Sequence, residues 1–447
     1  MSKETKNTGT AARSTFSSSL GFFLAAVGGA VGLGNVWGFP FKLGRGGGFP
    51  FLVIYVLCVF VVGVPICIAE YALGRKMRSG PVSAYKRISK KWTFLGWINM
   101  AVCIGVMGFY CLICGWLLKY ACMFALSLVG LGGDFLAMDS ATYFTTFVAK
   151  PLEPLIWTYA FMIINYLVIR KNISQGIEKS CKVMIPALYV LFIALAIMMP
   201  FVPGSSEGYK YIFSLDPRGL LDVNVWVFAF GQCFFSLSVA GSGSVIYGSY
   251  LGKDVKIRQS AILCALFDTS AALLAMFIVI PAMATTGADL GNGGPGLMFI
   301  YLIPVFNNMG GIARIMFIFF YVAVLFAGVS SIINLFETPV AFLQEKLRFN
   351  RVTATAVIHI VGVAVALTIQ PWTSQWMDMV SIYLCPLGAL TAGIMFFWIM
   401  KKDTALAAVQ EGDPKPVMSW FLPFGKYVFV PLCAACFILG IAFGGIG

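Results

Sequence analysis

Apolar runs of roughly 20 residues recur along the whole chain, and each is long enough to cross a hydrocarbon core of about 30 Å. The 447-residue chain is 60% hydrophobic and only 11% charged, a balance that ordinary soluble globular proteins do not have. The polar stretches between the runs are too short to fold as a separate soluble domain. The pattern therefore predicts an all-α polytopic membrane protein.

The runs predict eleven transmembrane helices. These spans cover residues 20–44, 47–73, 93–128, 154–169, 183–200, 223–251, 259–286, 311–344, 353–369, 378–400 and 421–444. Residues 1–19 are polar and show no cleavable signal peptide, since the apolar stretch after them is too long for one. We expect this N-terminal segment to lie in the cytoplasm, ahead of a retained first span.

Positive charge sets the expected orientation. Most of the 31 Lys and Arg residues fall on segments that are cytoplasmic if the N-terminus is inside, as is usual for membrane proteins. We therefore expect a multi-pass protein of the cell membrane (inner or plasma membrane), with an extracellular C-terminus because the number of spans is odd. The same asymmetry accounts for most of the net charge of +13, so no nucleic-acid partner is predicted.

The cysteines and the single histidine do not form a metal-binding or catalytic pattern. Nearly all of the 12 cysteines lie within spans, where cysteine packs as a small apolar residue. His359 by itself is too little for the usual histidine-rich metal sites. The sequence also contains no recognisable nucleophile–base pair or phosphate-binding loop, and it therefore argues against an enzyme.

Two of the predicted spans are interrupted by glycines. Span 1 contains AVGGAVGLGNVWGFPF (26–41), and span 6 contains QCFFSLSVAGSGSVIYGSY (232–250). Each glycine costs a helix about 1 kcal/mol relative to alanine, although glycines also let membrane helices pack closely. Breaks at corresponding positions of two halves are typical of transporters built from inverted repeats. We predict a 5+5 inverted repeat, residues 20–200 and 223–400, with 421–444 as an extra helix of one transport domain.

Unwound backbone at the bilayer centre must find hydrogen-bond partners in protein, ions or ligand, because lipid offers none. Free carbonyls can coordinate a cation, and free amides at the start of the outer half-helix can bind an anion. Such a site suits a small zwitterion with Na⁺ beside it.

Five motifs carry a resemblance to a known family. They are AVGLGNVWGFP in span 1, GGGFPFLVIY and GVPICIAEYALGR in span 2, GQCFFSLS in span 6 and FAGVSS in span 8. In this order and spacing they make residues 13–400 resemble the neurotransmitter:sodium symporters, in particular their bacterial amino-acid transporters. The resemblance implies a leucine-transporter-type fold in which helices 1 and 6 are broken.

The resemblance also implies two bound sodium ions. The first (Na1) would be held by the substrate carboxylate with Ala30, Asn35, Ser236 and Asp268. The second (Na2) would be held by Gly28, Val31, Ala327, Ser330 and Ser331. All of these ligands are oxygens, which hard cations prefer. In a helix, AGVSS places its alanine and both serines on one face, although such serines also bond back to carbonyls of their own helix.

Asp268 is an acid within an apolar span, which is costly and by default functional. In the family an asparagine is common at this position, and chloride-dependent members bind chloride close by. The fixed carboxylate of Asp268 would take the place of the negative charge that chloride supplies in those members. Glu70 and Glu337 are two further intramembrane acids. The resemblance implies that Glu70 bonds to the unwound part of span 6, and we expect Glu337 to face the interior or the cytoplasm.

The resemblance places a substrate carboxylate on the amides of Gly32, Leu33 and Gly34 and on the hydroxyl of Tyr110. Family members that carry amines have an aspartate where this chain has Gly32, so Gly32 favours an amino acid. The other substrate-binding residues would be Ala30, Val106, Phe235, Ser236, Ser238, Gly241, Ser331 and Leu335, with Phe235 and Tyr110 as the lid. Gly241 replaces a larger apolar residue of related transporters. It either enlarges the pocket for bulky aliphatic or aromatic substrates or only loosens the break.

The outer gate departs from the family pattern. The family usually has an arginine where this chain has Gly38, and that arginine pairs with an acid in span 10, here Asp378. We hypothesise that Lys42, or else Arg45, replaces the missing charge. The alternative is that Asp378 is solvated in the outer vestibule.

The inner gate follows the family more closely. The resemblance implies a cytoplasmic pair of Arg13 with Glu345. It also implies that span 5 unwinds between Gly176 and Pro186 and so opens a water path to the second sodium site, because proline removes a helix hydrogen bond.

The sequence therefore predicts a sodium-coupled amino-acid symporter that works by alternating access, with the substrate, Na⁺ and the lipid bilayer as its partners and no obligate protein partner. The alternatives are a symporter of another carboxylated solute or osmolyte, and an amino-acid sensor that binds without transport.

The carboxylate of Asp268 generates the first testable prediction, which is chloride independence. Replacing chloride by gluconate is expected to leave sodium-dependent uptake unchanged, because the negative charge beside the first sodium belongs to the protein. The measurement is uptake of a labelled amino acid into proteoliposomes in either salt. A collapse of uptake in gluconate would contradict it.

Overall fold

The computed structural model describes residues 15–131, 133–239, 243–287, 289–291, 294, 296–307 and 311–442. Within these residues every regular element is a helix, which confirms the all-α prediction. Seven helices are long and apolar enough to cross a membrane, and two bent helix pairs raise the number to nine. One of these nine, the 49-residue stretch Arg351–Ile399, covers both predicted spans 9 and 10, which makes ten. The two helices of span 6 form the eleventh predicted span.

The spans of the structure have the following bounds: span 1 Ser19–Ala30 and Gly34–Arg45, span 2 Phe49–Met77, span 3 Phe94–Ser127, span 4 Glu153–Ile169, span 5 Ile173–Phe201, span 6 Val223–Ser236 and Gly243–Gly248, span 7 Ile257–Thr285, span 8 Gly311–Leu347, span 9 Arg351–Ile369, span 10 373–399 and span 11 Phe421–Ala442. The connections contain the short helices Pro81–Ile88, Gly133–Ala137, Ser140–Ala149, Ser206–Phe213, Leu297–Tyr301, Leu302–Asn307 and Lys402–Gln410. Most predicted bounds lie within a few residues of these.

Span 5 is the exception, because it begins at Ile173 rather than at the predicted residue 183. Its first turn, Ile173–Glu178, is π-helical and is capped by Asn172, whose side chain accepts a hydrogen bond from the Gln175 amide at 2.7 Å. Glu178 is buried, and the Lys182 ammonium lies 2.7 Å from its carboxylate. Glu178 and Lys182, which lie before the predicted start, are therefore paired within the helix.

The glycine-rich stretch breaks span 1 as predicted. The first half ends at Ala30, since Val31 has an extended ψ of 107°. The second half begins at Gly34, and the two halves are bent by 50°. The carbonyls released by the break are used by neighbouring spans: Ser238 Oγ donates to the Gly29 carbonyl at 2.6 Å.

Span 6 is broken in the same way. Its first half ends at Ser236, and its second half begins at Gly243, while residues 240–242 lie outside the described part of the chain. Ser238 has a positive φ of 54°, which is uncommon for a residue with a side chain. The two breaks therefore meet, because the hydroxyl of Ser238 reaches the break of span 1.

Close contacts at glycines hold several spans together. A Cβ at Gly115 in span 3 would lie 2.5 Å from the Cα of Thr158 in span 4. In span 2, a Cβ at Gly74 would lie 2.0 Å from the Val245 carbonyl of span 6. Small residues at helix crossings are the usual way for membrane helices to approach, since no hydrophobic effect drives helices together in lipid.

We predict that Gly115→Ala destabilises the protein by about 1–3 kcal/mol, because the added methyl group overpacks the backbone contact between spans 3 and 4. The measurement is the midpoint of thermal unfolding in detergent. The control is Gly296→Ala, whose Cβ would meet its nearest neighbour, Tyr301, at an ordinary 3.6 Å. Equal midpoints for the two variants would contradict the prediction.

Candidate functional site

Residues of spans 1, 3, 6, 8 and 10 line one cavity beside the two breaks. Most of the predicted substrate-binding residues line it: Ala30, Gly34, Val106, Tyr110, Phe235, Ser236, Ser238, Ser331 and Leu335. Gly32 and Leu33 lie next to it, in contact with the side chains of Tyr110 and Ser331. Gly241 lies outside the described residues.

The structure adds lining residues that sequence reasoning missed: Gly29, Val102, Gly243, Asn334 and Cys385. Two of them could have been found from helical periodicity. Asn334 lies three residues after Ser331 and Val102 lies four residues before Val106, so each shares a helix face with a predicted residue. No signal in the sequence singles out Cys385.

The residues expected at the first sodium site form one connected cluster. The Asp268 carboxylate accepts hydrogen bonds from Asn35 Nδ2 at 2.8 Å and from Ser236 Oγ at 2.7 Å. Asn35 Nδ2 also lies 3.1 Å from Ser236 Oγ, and Ala30 lines the cavity beside both residues. Asp268 and Asn35 are fully buried. A buried carboxylate beside a serine hydroxyl supplies oxygen ligands that suit a cation.

The residues expected at the second sodium site also converge. Ser331 Oγ donates to the carbonyls of Val31 at 3.1 Å and Gly28 at 3.3 Å, across from span 8 to span 1. Ser330 Oγ bonds back to the Ala327 carbonyl at 3.1 Å. Ser330 therefore makes the back-bond to its own helix, Ser331 reaches span 1, and sodium binding by either serine stays a prediction. A Cβ at Gly28 would lie only 2.9 Å from Ser330 Cβ, so glycine allows the two spans to meet here.

The expected carboxylate-binding groups lie at one end of the cavity. The Leu33 amide donates to Tyr110 Oη at 3.1 Å, and the Gly32 amide donates to Asn35 Oδ1 at 2.9 Å. Because Tyr110 Oη accepts a hydrogen bond from this backbone, its own proton is available to a ligand. The break of span 1 therefore connects the carboxylate end directly to the first cluster through Asn35.

A second, outer cavity lies beyond Phe235, and both Phe235 and Cys385 line the two cavities. Lys42 and Asp378 line the outer one, yet among the described residues no ion pair joins them. The buried Lys42 ammonium instead donates to Gln232 Oε1 at 3.2 Å, and Gln232 Nε2 donates to the Gly34 carbonyl at 3.0 Å. The pairing of Lys42 with Asp378 stays a prediction. Sequence reasoning missed Gln232.

At the inner end, Arg13 lies outside the described residues, and Glu345 Oε1 accepts a hydrogen bond from the Gly80 amide at 2.9 Å. Gly176 lies in the π-helical first turn of span 5 and Pro186 lies inside its helix. Beside them, the Glu178 carboxylate accepts hydrogen bonds from the Ser17 amide at 2.8 Å and hydroxyl at 2.6 Å.

The two other intramembrane acids have different surroundings. Glu337 is buried and pairs with Arg351 at 2.8 Å, and it also accepts a hydrogen bond from Tyr250 Oη at 2.6 Å. Glu70 is buried, and its carboxyl group interacts with the side chain of Ser244 in the second half of span 6. Since residues 240–242 are not described, the expected bond of Glu70 to the unwound part of span 6 stays a prediction.

A comparison with protein families decides the identity of this architecture. The model of the sodium:neurotransmitter symporter family matches residues 13–129 and 150–442. The chain belongs to this family. The resemblance drawn from the five motifs is thereby confirmed, and the match extends beyond residue 400 into span 11. Members of the family are transporters and not enzymes.

Individual relatives agree with the assignment. An uncharacterized sodium-dependent transporter of Bacillus subtilis, YhdH, is 32% identical over 422 residues, which cover 89% of this chain and 90% of the relative. The bovine sodium-dependent neutral amino acid transporter B(0)AT2 is 26% identical over 61% of this chain and 41% of its own length. The crystal structure of MhsT in complex with L-phenylalanine superposes with a TM-score of 0.85 at 30% identity, covering 95% of this chain and 99% of MhsT.

We predict that Gly32→Ala lowers substrate affinity at least about tenfold, since it displaces polar groups of the site. The added Cβ would lie 2.4 Å from Ser331 Oγ and 2.8 Å from Tyr110 Oη. The measurement is equilibrium binding of a labelled amino acid in the presence of Na⁺. Gly38→Ala is the control on the same span, because its Cβ would meet only Gln232 Oε1, at 3.3 Å. Equal affinities for the two variants would refute this prediction.

Proposed function

We propose that the protein is a sodium-coupled symporter of amino acids and that it prefers bulky hydrophobic or aromatic side chains. The observation that carries the proposal is the pair of oxygen clusters attached to the break of span 1. One cluster centres on Asp268 and the other on Ser331, and residues of both line the same cavity or lie against it.

The substrate class follows from the two ends of the cavity. At one end, the Tyr110 hydroxyl and the backbone around Gly32 suit the carboxylate of a substrate. Gly32 has no side chain and so leaves space for a substrate that carries its own carboxylate. Elsewhere the walls include the apolar side chains of Val102, Val106 and Leu335. Two similar proteins support this choice: MhsT, whose structure contains L-phenylalanine, and B(0)AT2, which is named a sodium-dependent neutral amino acid transporter.

Two sodium ions would be carried with the substrate. At the first site the substrate carboxylate would complete the oxygens of Ala30, Asn35, Ser236 and Asp268, so that ion and substrate stabilise each other. At the second site the ion would bind the carbonyls of Gly28, Val31 and Ala327 with the hydroxyls of Ser330 and Ser331. The fixed charge of Asp268 makes chloride unnecessary.

Transport would proceed by alternating access. Spans 1, 2, 6 and 7 would rock against the other spans, with the N-terminus in the cytoplasm and residues 20–200 and 223–400 as the two inverted repeats. Phe235 borders both cavities, which supports its role as the lid between the outer solution and the substrate.

Uptake by proteoliposomes tests the proposal. A panel of labelled amino acids is offered with and without an inward sodium gradient. We expect gradient-dependent uptake, largest for leucine, phenylalanine, tyrosine or tryptophan. Sodium-dependent binding without uptake would instead favour an amino-acid sensor. Equal uptake with and without the sodium gradient would contradict the proposal that transport is coupled to sodium.

We predict that Asp268→Asn raises the sodium concentration needed for half-maximal uptake at least about tenfold, because the buried ion loses the one charged ligand that the protein supplies. The matched control is Asp403→Asn, an exposed acid in the first turn of the helix Lys402–Gln410. Unchanged sodium dependence in the Asp268 variant would exclude this acid from the first sodium site.

A further inference from the structure

Asn334 is a polar residue that neither sodium cluster nor the carboxylate end of the cavity uses. It lies on span 8, lines the cavity and is only 3% exposed. Burying an amide is costly unless both its donors and its acceptor find partners. The surroundings of Asn334 therefore decide what it contributes.

The amide nitrogen of Asn334 has a protein partner, and the oxygen has none. Nδ2 donates to the Gly243 carbonyl at 3.3 Å, at the start of the second half of span 6. Oδ1 accepts no hydrogen bond from the residues that the structure describes. Among the described residues, this strong acceptor of a cavity-lining side chain thus has no hydrogen-bond donor.

Asn334 lines a different part of the cavity wall from Gly32, about one helical turn along span 8 from Ser331. Its amide packs on Gly29 and Gly243, where an added Cβ would lie 3.1 Å from Nδ2 and 2.0 Å from Oδ1 respectively. Tyr110 and Ser331, in contrast, meet at Gly32. Val102 and Tyr110 both line the cavity and are eight residues apart on one helix, about 12 Å. Asn334 and span 3 thus line the same cavity beyond the carboxylate-binding groups.

We propose that Asn334 is a specificity-determining residue whose Oδ1 accepts a hydrogen bond from the far end of the substrate side chain. The matching chemistry is an aromatic side chain with a donor at its edge, an indole N–H or a phenol O–H. A buried acceptor rejects analogues that cannot donate, because binding them leaves it unpaired. Asn334 thus makes tryptophan or tyrosine a better substrate than phenylalanine. This inference rests on the proposed amino-acid transport.

A structural role for Asn334 is the competing explanation, since Nδ2 also fastens the break of span 6. Tyr247, four residues after Gly243, has a buried hydroxyl that interacts with the side chain of Asn334, and it is the protein donor most able to compete for Oδ1. If Asn334 only fastens span 6 or only bonds to Tyr247, its loss would weaken the transport of all substrates alike. If it determines specificity, its loss would change the ratio of the affinities for different substrates.

Two substitutions separate these roles. Asn334→Leu and Asn334→Asp both lose the hydrogen bond from Nδ2 to Gly243, but only the aspartate keeps an acceptor at the position of Oδ1. Each variant is compared with the unchanged protein in proteoliposomes by competition against one labelled amino acid. The competitors are matched pairs, L-tryptophan with 3-benzothienyl-L-alanine, in which sulfur replaces the indole N–H, and L-tyrosine with L-phenylalanine.

We predict that the unchanged protein prefers the donor-bearing member of at least one pair by about tenfold. Asn334→Leu is expected to abolish that preference, Asn334→Asp to retain it, and Tyr247→Phe to leave it in place. No preference in the unchanged protein, or the same preference in Asn334→Leu, would overturn the inference. Absence of sodium-driven uptake of every amino acid would instead count against the proposed function itself.

Discussion

The backbone left open by two interrupted membrane helices is the constraint on which this structure depends. In a hydrocarbon environment each unpaired carbonyl or amide must be satisfied from within the protein or by a ligand. Here hydroxyl groups of other spans meet part of that demand: Ser331 reaches the carbonyls of Gly28 and Val31, and Ser238 reaches that of Gly29. The fold is therefore held together at its centre by the same groups that are available to bind ions.

This constraint explains why binding and movement are coupled in such a protein. The hydrogen bonds of Asp268 join span 7 to span 1 through Asn35 and to span 6 through Ser236. An ion or substrate that enters this network exchanges protein hydrogen bonds for its own contacts, and so changes how three spans are held relative to one another. A ligand can shift a conformational equilibrium only through such differential contacts.

Much of the architecture could be predicted from the sequence because its signals are local. Span length, loop charge and glycine content each act within about 20 residues, and most predicted span bounds agree with the structure. The predicted start of span 5 was wrong. The polar residues at its true start are stabilised partly by partners distant in sequence, as when Glu178 accepts a hydrogen bond from the Ser17 amide. For the site, the motifs named residues that the structure brings together around Asp268 and Ser331, while the sodium ligation itself stays a proposal.

The sequence by itself determined that the chain is a polytopic helical membrane protein with two broken spans, because hydropathy and helix-breaking residues are properties of short segments. Only the tertiary structure decided the partners across those segments. It placed the Lys42 ammonium on Gln232, and it brought Asn334 to the cavity with an amide oxygen that accepts no hydrogen bond from the described part of the chain. Such pairings depend on how helices far apart in the chain pack and rotate against each other, and no local pattern records that geometry.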